Sequence, residues 1–164
     1  MLFEQITQFI DKYNLPWLLL AIISWMVIVS VFSKRHFWHA LPVGFWTMTI
    51  GTMLELFFIE HRFWTDKYVM VHIGEIDLFV IIGPFFVIGL LLVRFLPANG
   101  IGKLLAVLAW SGFATGMEYI AIKMGFLDYQ PGKWQALYSL LAYFISLMSA
   151  LGFYYAYYNK SPRL

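Results

Sequence analysis

Five long apolar stretches constrain the fold of this 164-residue chain more than any other feature. Hydrophobic residues make up 62% of the sequence and charged residues 12%, whereas a soluble domain has about 45–50% and 25% respectively. Because about 20 apolar residues in a helix cross the hydrocarbon core of a bilayer, each stretch is long enough to do so. The sequence therefore predicts one all-α integral membrane domain, a polytopic helix bundle with five transmembrane helices at about residues 15–32, 37–59, 76–96, 104–122 and 134–158.

The residues before the first span have apolar positions at helical spacing. Leu2, Ile6, Phe9 and Tyr13 share one face, and polar side chains occupy the others. This pattern is typical of a short amphipathic helix on the membrane surface at residues 2–12. A frayed terminus is an equally good interpretation.

The ends of the second and fourth spans match each other at a fixed offset of 63 residues. In both copies the matched residues lie three or four positions apart, which puts them on one helical face. Since one span separates the copies, both cross the bilayer in the same direction, and the match predicts a parallel internal repeat of spans 1–2 and 3–4. Chance similarity between apolar segments is the alternative. The first copy contains Thr52, Glu55, Ile59 and Phe63, and the second contains Thr115, Glu118, Ile122 and Phe126.

The two matched glutamates are predicted to lie inside the bilayer. If the second span ended before Glu55, its residues 40–54 would cover only about 22 Å of a hydrocarbon core about 30 Å thick. The same arithmetic applies to Glu118. A carboxyl at that depth needs a partner, a proton or water, and is a functional candidate by default.

The candidate binding or proton site therefore combines both glutamates with their polar neighbours. Its predicted members are Glu55, Glu118, Thr52, Thr115 and Tyr119. The alternative is structural: each glutamate accepts a hydrogen bond from one of these neighbours or from the backbone and joins two helices.

Paired membrane carboxyls are compatible with two classes of function. Two facing carboxyls can share a proton, which favours transport or permeation of a proton, a cation or a small solute. The alternative is a membrane enzyme, or a binding protein, for a lipid or isoprenoid, in which one carboxyl acts as acid and the other as base. No nucleophile–base pattern is present, so the sequence assigns no catalytic residue.

The loop after the second span is rich in ionisable residues, but it does not have the spacing of a metal site. His61, Asp66 and His72 are weak candidate ligands, because neither histidine has a second histidine four residues away. The chain has no cysteine, which excludes disulfides and thiolate metal sites. We expect no metal and no cofactor.

Three further features concern partners. Dispersed basic residues argue against nucleic acid, and the apolar surface predicts membrane lipids as partners. Gly112 and Gly116 form a Gly-x-x-x-Gly face typical of helix association, which makes a homo-oligomer a candidate. Trp17, Trp64 and Trp134 are expected in the interfacial aromatic belt.

The distribution of charge predicts the orientation. One side carries six basic residues and no acid, and the other carries five basic and all nine acidic residues, so the net charges are +6 and −4. Because basic loops stay in the cytoplasm, the N-terminus is expected outside and the C-terminus in the cytoplasm. Gly83-Pro84 should bend the third span.

Residues 115–143 carry a resemblance to a known family. Glu118 closes the fourth span, a Lys-x-Gly turn and Phe126 follow, and Trp134 and Ser139 open the fifth span. This arrangement resembles a family of small, uncharacterised multi-span membrane proteins of spore-forming Gram-positive bacteria. The resemblance implies a multi-pass protein of the bacterial plasma membrane and assigns no activity.

Overall fold

A computed structural model describes residues 13–160, most of which are helical, and the predicted surface helix at residues 2–12 lies outside this range. Long helices form where apolar residues run without interruption, since a helix satisfies its own backbone polar groups in an apolar surrounding. The four long helices are α1 (Pro16–Val31), α2 (Lys34–Glu60), α5 (Gly100–Lys123) and α6 (Ala136–Lys160).

A bent helix made of three parts lies between α2 and α5. It consists of α3 (Leu78–Val80), a π-helical turn (Ile81–Phe85) and α4 (Phe86–Arg94). The bend predicted at Gly83-Pro84 is confirmed, because Gly83 has non-helical angles of φ −93° and ψ −105°. Proline removes a backbone donor, which favours a bend at this position.

Within residues 13–160, three helices are long and apolar enough to cross a membrane: Lys34–Glu60, Gly100–Lys123 and Ala136–Tyr158. Pro16–Val31 and Leu78–Arg94 are apolar but shorter. The structure is thus a helix bundle with three candidate spans.

The prediction of an all-α domain omitted four short strands. β1 (Trp64–Asp66) pairs antiparallel with β4 (Leu127–Tyr129), and β2 (His72–Ile73) pairs with β3 (Ile76–Asp77). The third helix accordingly begins at Leu78 and not at residue 76. Strands of two or three residues have no sequence period, and β1 finds its partner about 60 residues away.

The β1–β4 pair, called the ribbon here, lies at one end of the bundle. The Trp17 indole at the start of α1 donates to Lys67 O, just beyond β1, at 2.9 Å. At the opposite end, Arg94 Nε donates to Val31 O at 3.3 Å. Both α1 and the bent helix therefore run from the ribbon end of the bundle to the opposite end.

Two glycines allow α2 and α4 to cross closely. A Cβ on Gly89 would lie 2.1 Å from Thr47 Oγ1, and one on Gly44 would lie 3.0 Å from Leu90 Cδ2. In contrast, α1 and α5 do not pack closely against each other. The bundle is therefore tight on one side and open between α1 and α5.

Candidate functional site

The ribbon covers one end of the bundle and points alternate side chains inward. In β1, Trp64 is buried, Thr65 is exposed and Asp66 is partly buried. In β4, Leu127 is buried and Asp128 is exposed. Because side chains alternate along a strand, the inner face brings Asp66 towards the helix ends that carry the two glutamates.

Glu118 on α5 accepts hydrogen bonds from three hydroxyl groups. Ser139 Oγ donates to its Oε1 at 2.5 Å, and Tyr143 OH donates to its Oε2 at 2.6 Å. Tyr129 OH also donates to Oε1. Burial, together with the hydrogen bond to Glu118, raises the pKa of Tyr129 above its ordinary value, so this hydroxyl keeps its proton.

The first turns of α6 hold these donors in place. Ser139 and Tyr143 are four residues apart on α6, which puts them on one face. The Trp134 indole donates to Ser139 Oγ at 2.8 Å, and this leaves the Ser139 proton free to point at Glu118. Glu118 is 8% exposed and connects α5, β4 and α6.

Glu55 on α2 is equally buried, at 8% exposed, but has fewer donors. The Trp64 indole donates to its Oε1 at 2.8 Å. Trp64 packs between Phe58 and Trp134, with ring centroids 4.7 and 5.0 Å away. The two glutamates are therefore equally buried and differ in hydrogen bonding.

Asp66 supplies a third carboxyl group. Its Oδ1 atom is buried and has no hydrogen-bond partner among residues 13–160. Burial, and then the neighbouring Glu118 and Asp77 carboxylates, raise the pKa of Asp66 from 3.8 to about 7. Asp66 can thus take up or release a proton near neutral pH.

All three carboxyl groups line one cavity of about 550 Å³. It lies between the helices below the ribbon, and its walls are otherwise mainly apolar side chains of α1, α4, α5 and α6. No Lys, Arg or His from the part of the chain that the structure describes lines it. The cavity is therefore an acidic pocket with an apolar body.

The cavity opens between α1 and α5. Ile23 and Val27 on α1 and Phe113 on α5 belong to its wall, and these side chains are 58%, 38% and 57% exposed. The side chains at this opening are apolar. The ribbon end is covered by buried residues, among them Trp64 and Leu127.

Three of the predicted site residues lie outside the carboxyl cluster. Thr52 Oγ1 donates to Met48 O at 2.7 Å and Thr115 Oγ1 to Ser111 O at 2.9 Å, so each hydroxyl bonds its own helix. Tyr119 is 52% exposed and lies beneath the Lys123 ammonium, on the outside of α5. The structure brings together Glu55 and Glu118 and separates them from these three residues.

The weak metal candidates do not meet. His61 is exposed and its Nδ1 contacts Phe57 O at 2.8 Å, and His72 is exposed on β2, whereas Asp66 lines the cavity. Residues 13–160 contain no group of three His, Asp or Glu side chains arranged to hold a metal ion.

Several site residues were missed by sequence reasoning. Trp64, expected in the interfacial belt, is 4% exposed, and its position in the sequence does not indicate that its indole donates to Glu55. Asp66, a weak metal candidate from the sequence, lines the cavity. The 63-residue match ends at Phe63 and Phe126, because the residues that follow, Trp64-Thr65-Asp66 and Leu127-Asp128-Tyr129, differ at every position. Ser139 and Tyr143 also had no signal, because α6 has no counterpart in the match.

The loops at the ribbon show the same 63-residue offset in their backbone hydrogen bonds. Phe63 N donates to Phe58 O and Phe126 N to Ala121 O, both at 2.9 Å. Across the ribbon, Lys67 N donates to Phe126 O and Gln130 N to Phe63 O, again both at 2.9 Å. Each bond of a pair becomes the other when 63 is added to, or subtracted from, its residue numbers.

No protein-family model, curated protein or solved structure matches this chain. The geometry of the carboxyl cavity therefore carries the functional interpretation.

Proposed function

We propose that this chain is an integral membrane protein that binds a cation in the carboxyl cavity and moves it across the bilayer in exchange for protons. The observation that carries the proposal is the meeting of Glu55, Asp66 and Glu118 in one cavity without a basic side chain from residues 13–160. Carboxylates in an apolar surrounding need a counter-charge or a proton. A cation and protons are the two occupants that meet this need.

The three carboxyls take different parts in this proposal. Glu118 accepts hydrogen bonds from three hydroxyl donors, so its position is fixed. Asp66 has a free oxygen atom and a pKa of about 7. Asp66, with Glu55 beside it, is thus the group that gains a proton when the cation leaves.

A five-span topology supports transport and is part of the proposal. α1 and the bent helix Leu78–Arg94 are short, yet both reach from the ribbon end to the opposite end of the bundle. A helix of 16 residues covers about 24 Å, and a bilayer can thin locally to match such a helix. The bundle would then cross the membrane five times.

A duplicated origin of the two halves is supported by matched boundaries. α1 ends at Val31 and α4 at Arg94, and α2 ends at Glu60 and α5 at Lys123, which are 63 residues apart in both cases. The ribbon joins the two copies with the same offset. A twofold axis along the membrane normal through the ribbon accounts for these relations.

The setting of the protein is proposed from the sequence. The charge difference between the two ends and the resemblance of residues 115–143 support a bacterial plasma membrane, with the ribbon end outside and the C-terminus in the cytoplasm. Gly112 and Gly116 are exposed on α5 with no atom within 4 Å of an added Cβ. A homo-oligomer through this face stays a prediction.

Proteoliposomes test the transport proposal. Vesicles containing a pH-sensitive dye and an acidic lumen are exposed to Na⁺, K⁺ or organic ammonium ions, and proton efflux is compared with that of empty vesicles. We expect efflux that depends on one class of cation and falls at least tenfold in Asp66→Asn and Glu55→Gln. Glu60→Gln is the matched control, because Glu60 is an exposed carboxyl five residues beyond Glu55 on α2.

Two results would overturn the proposal. One is efflux no faster than that of empty vesicles for every cation. The other is efflux that is unchanged by both cavity variants.

A membrane enzyme or binding protein for a lipid or isoprenoid is the second candidate. The observation that favours it is the apolar opening between α1 and α5, through which a bilayer lipid can reach Glu55 and Asp66. Two carboxyls that differ in their hydrogen-bond donors would then act as the acid and the base. Mass spectrometry of lipids extracted from the same vesicles tests this candidate, since a new lipid product that is absent with Asp66→Asn supports it.

A further inference from the structure

The carboxyl cavity has one polar end and one apolar side. Three lining hydroxyls bond their own helices: Ser24 donates to Leu20 O, Thr47 to Val43 O and Ser146 to Ala142 O. The lining hydroxyls of Ser139 and Tyr143 donate to Glu118. The three carboxyls are the acidic side chains of the lining. An occupant therefore finds charge at the ribbon end and apolar surface elsewhere.

The residues at two helix crossings explain why one side of the cavity is open. The tight crossing of α2 with α4 depends on Gly44 and Gly89. The residues 63 positions from these glycines are Val107 and Met26, whose larger side chains do not permit an equally close crossing of α5 with α1. The bundle is therefore closed between α2 and α4 and open between α5 and α1.

The open side lies along the helices, where a bilayer would be. The charged surface at the ribbon end is separated from the cavity by a packed layer that includes Trp64, Ile76, Phe126 and Leu127. On its outer surface Lys67 is paired with Asp128. The open side of the cavity, between α1 and α5, therefore faces the place that lipid would occupy.

Resting on the proposed cation function, we propose that the substrate is an amphiphilic organic cation that enters from the bilayer between α1 and α5. Its charged head lies against Glu55, Asp66 and Glu118, and its apolar body lies along Leu91 and Trp110. The volume of about 550 Å³ falls within the range of sites for drug-sized ligands. The Trp64 and Trp17 rings at the polar end also favour a soft organic cation.

The buried, unpartnered Oδ1 of Asp66 is the atom that points to such a ligand. Within the described residues, the ionisable groups that interact with it from the neighbouring elements are Glu55 on α2, Glu118 on α5 and Asp77 on β3, and all three are acidic. A bound cation removes the repulsion among these groups. A neutral or anionic amphiphile of the same shape does not.

The test is binding to the full chain in phosphatidylcholine nanodiscs at pH 8, measured by equilibrium dialysis against empty nanodiscs. Tetraphenylphosphonium is the apolar cation, tetraphenylborate is the anion of matched size and shape, and tetramethylammonium is a small hydrophilic cation. We expect saturable binding of tetraphenylphosphonium alone. Asp66→Asn and Glu55→Gln should each weaken it at least tenfold, and Glu60→Gln should not.

A second pair of variants tests the route. Ala114→Phe places a ring in the cavity wall on α5, and we expect at least a tenfold loss of tetraphenylphosphonium binding. Ala156→Phe makes the same change at an exposed position of α6 outside the cavity and should leave binding unchanged. Thermal unfolding of each variant verifies that it is folded.

The outcomes separate the two proposals. If tetramethylammonium binds as well as tetraphenylphosphonium, with the same loss in Asp66→Asn and none in Ala114→Phe, the lateral amphiphile route is wrong and the cation function stands. If neither cation binds, or if binding is the same in the wild type, Asp66→Asn and Glu55→Gln, both proposals are wrong. Binding of tetraphenylborate equal to that of tetraphenylphosphonium would also overturn both.

Discussion

Thr65 and Asp128 face each other at the centre of the ribbon, and they are 63 residues apart, the offset that also relates Glu55 to Glu118. The neighbouring pairs are Trp64 with Tyr129 and Asp66 with Leu127, so the register is symmetric about the central pair. This register turns Asp66 and the Trp64 indole to the same inner side as the two glutamates. The ribbon is thus the element that assembles the carboxyl cavity.

A disulfide tests the register of the ribbon. Directly opposed residues of an antiparallel pair have Cα atoms about 4.5–5.5 Å apart, within the range that a disulfide spans. The natural chain has no cysteine, so Thr65→Cys with Asp128→Cys creates the sole pair. We expect an intramolecular disulfide on mild oxidation, detected by mass spectrometry of the joined peptides.

The control for this cross-link combines Thr65→Cys with Lys103→Cys. Lys103 lies in the first turn of α5, about 20 residues or 30 Å along the helix from its ribbon end. The control should stay reduced within one chain. Equal cross-linking of both pairs would contradict the ribbon.

Removing one of the hydroxyl groups that donate to Glu118 should lower the stability of the bundle. Tyr143→Phe deletes the donor to Oε2 and leaves that buried oxygen without this partner. We expect the free energy of unfolding in detergent micelles to fall by about 1–3 kcal/mol. Tyr138→Phe is the matched control, because Tyr138 is 42% exposed and its ring contact with Trp134 is kept; an equal loss in both variants would contradict the role of Tyr143.

Asp66 should make the stability of the protein depend on pH. Because its pKa is raised from 3.8 to about 7, the folded chain holds a proton that the unfolded chain has lost between these values. Stability is therefore greatest below about pH 4 and falls as the pH rises towards 7, by at most about 4 kcal/mol for this group. Thermal unfolding in detergent should show a lower midpoint at pH 8 than at pH 5.

Asp66→Asn should reduce this pH dependence, since asparagine does not titrate. Glu60→Gln should retain it, because Glu60 is exposed and outside the cavity. If the unfolding midpoint changes with pH equally in the wild type and in Asp66→Asn, Asp66 titrates near its ordinary pKa.

The crossing of α2 with α4 should not tolerate a methyl group at Gly89. A Cβ there would lie 2.1 Å from Thr47 Oγ1 and 2.7 Å from Val43 O, and backbone atoms must move to admit it. Gly89→Ala should therefore lower the free energy of unfolding by about 1–3 kcal/mol. Gly112→Ala on α5 meets no atom within 4 Å and should be neutral or slightly stabilising; unfolding measured in the same detergent compares the two.

Sequence alone determined the helical, apolar character of this protein and indicated that its two glutamates are buried. Apolar composition and helical spacing are local properties, so they indicated five apolar helices, the bend at Gly83 and the burial of Glu55 and Glu118. They did not indicate which side chains would meet these carboxyls. The neighbours predicted along the same helices, Thr52, Thr115 and Tyr119, bond their own helix or lie outside.

Tertiary structure decided the partners of the carboxyls and the shape of the site. Trp64 and Asp66 face the cavity because β1 pairs with β4 about 60 residues away, and Ser139 and Tyr143 reach Glu118 because α6 packs on α5. Gly44 and Gly89 let α2 approach α4 closely, while the corresponding positions of α5 and α1 are Val107 and Met26. Contacts between distant segments depend on packing and strand register, and neither has a period that can be read from the order of residues.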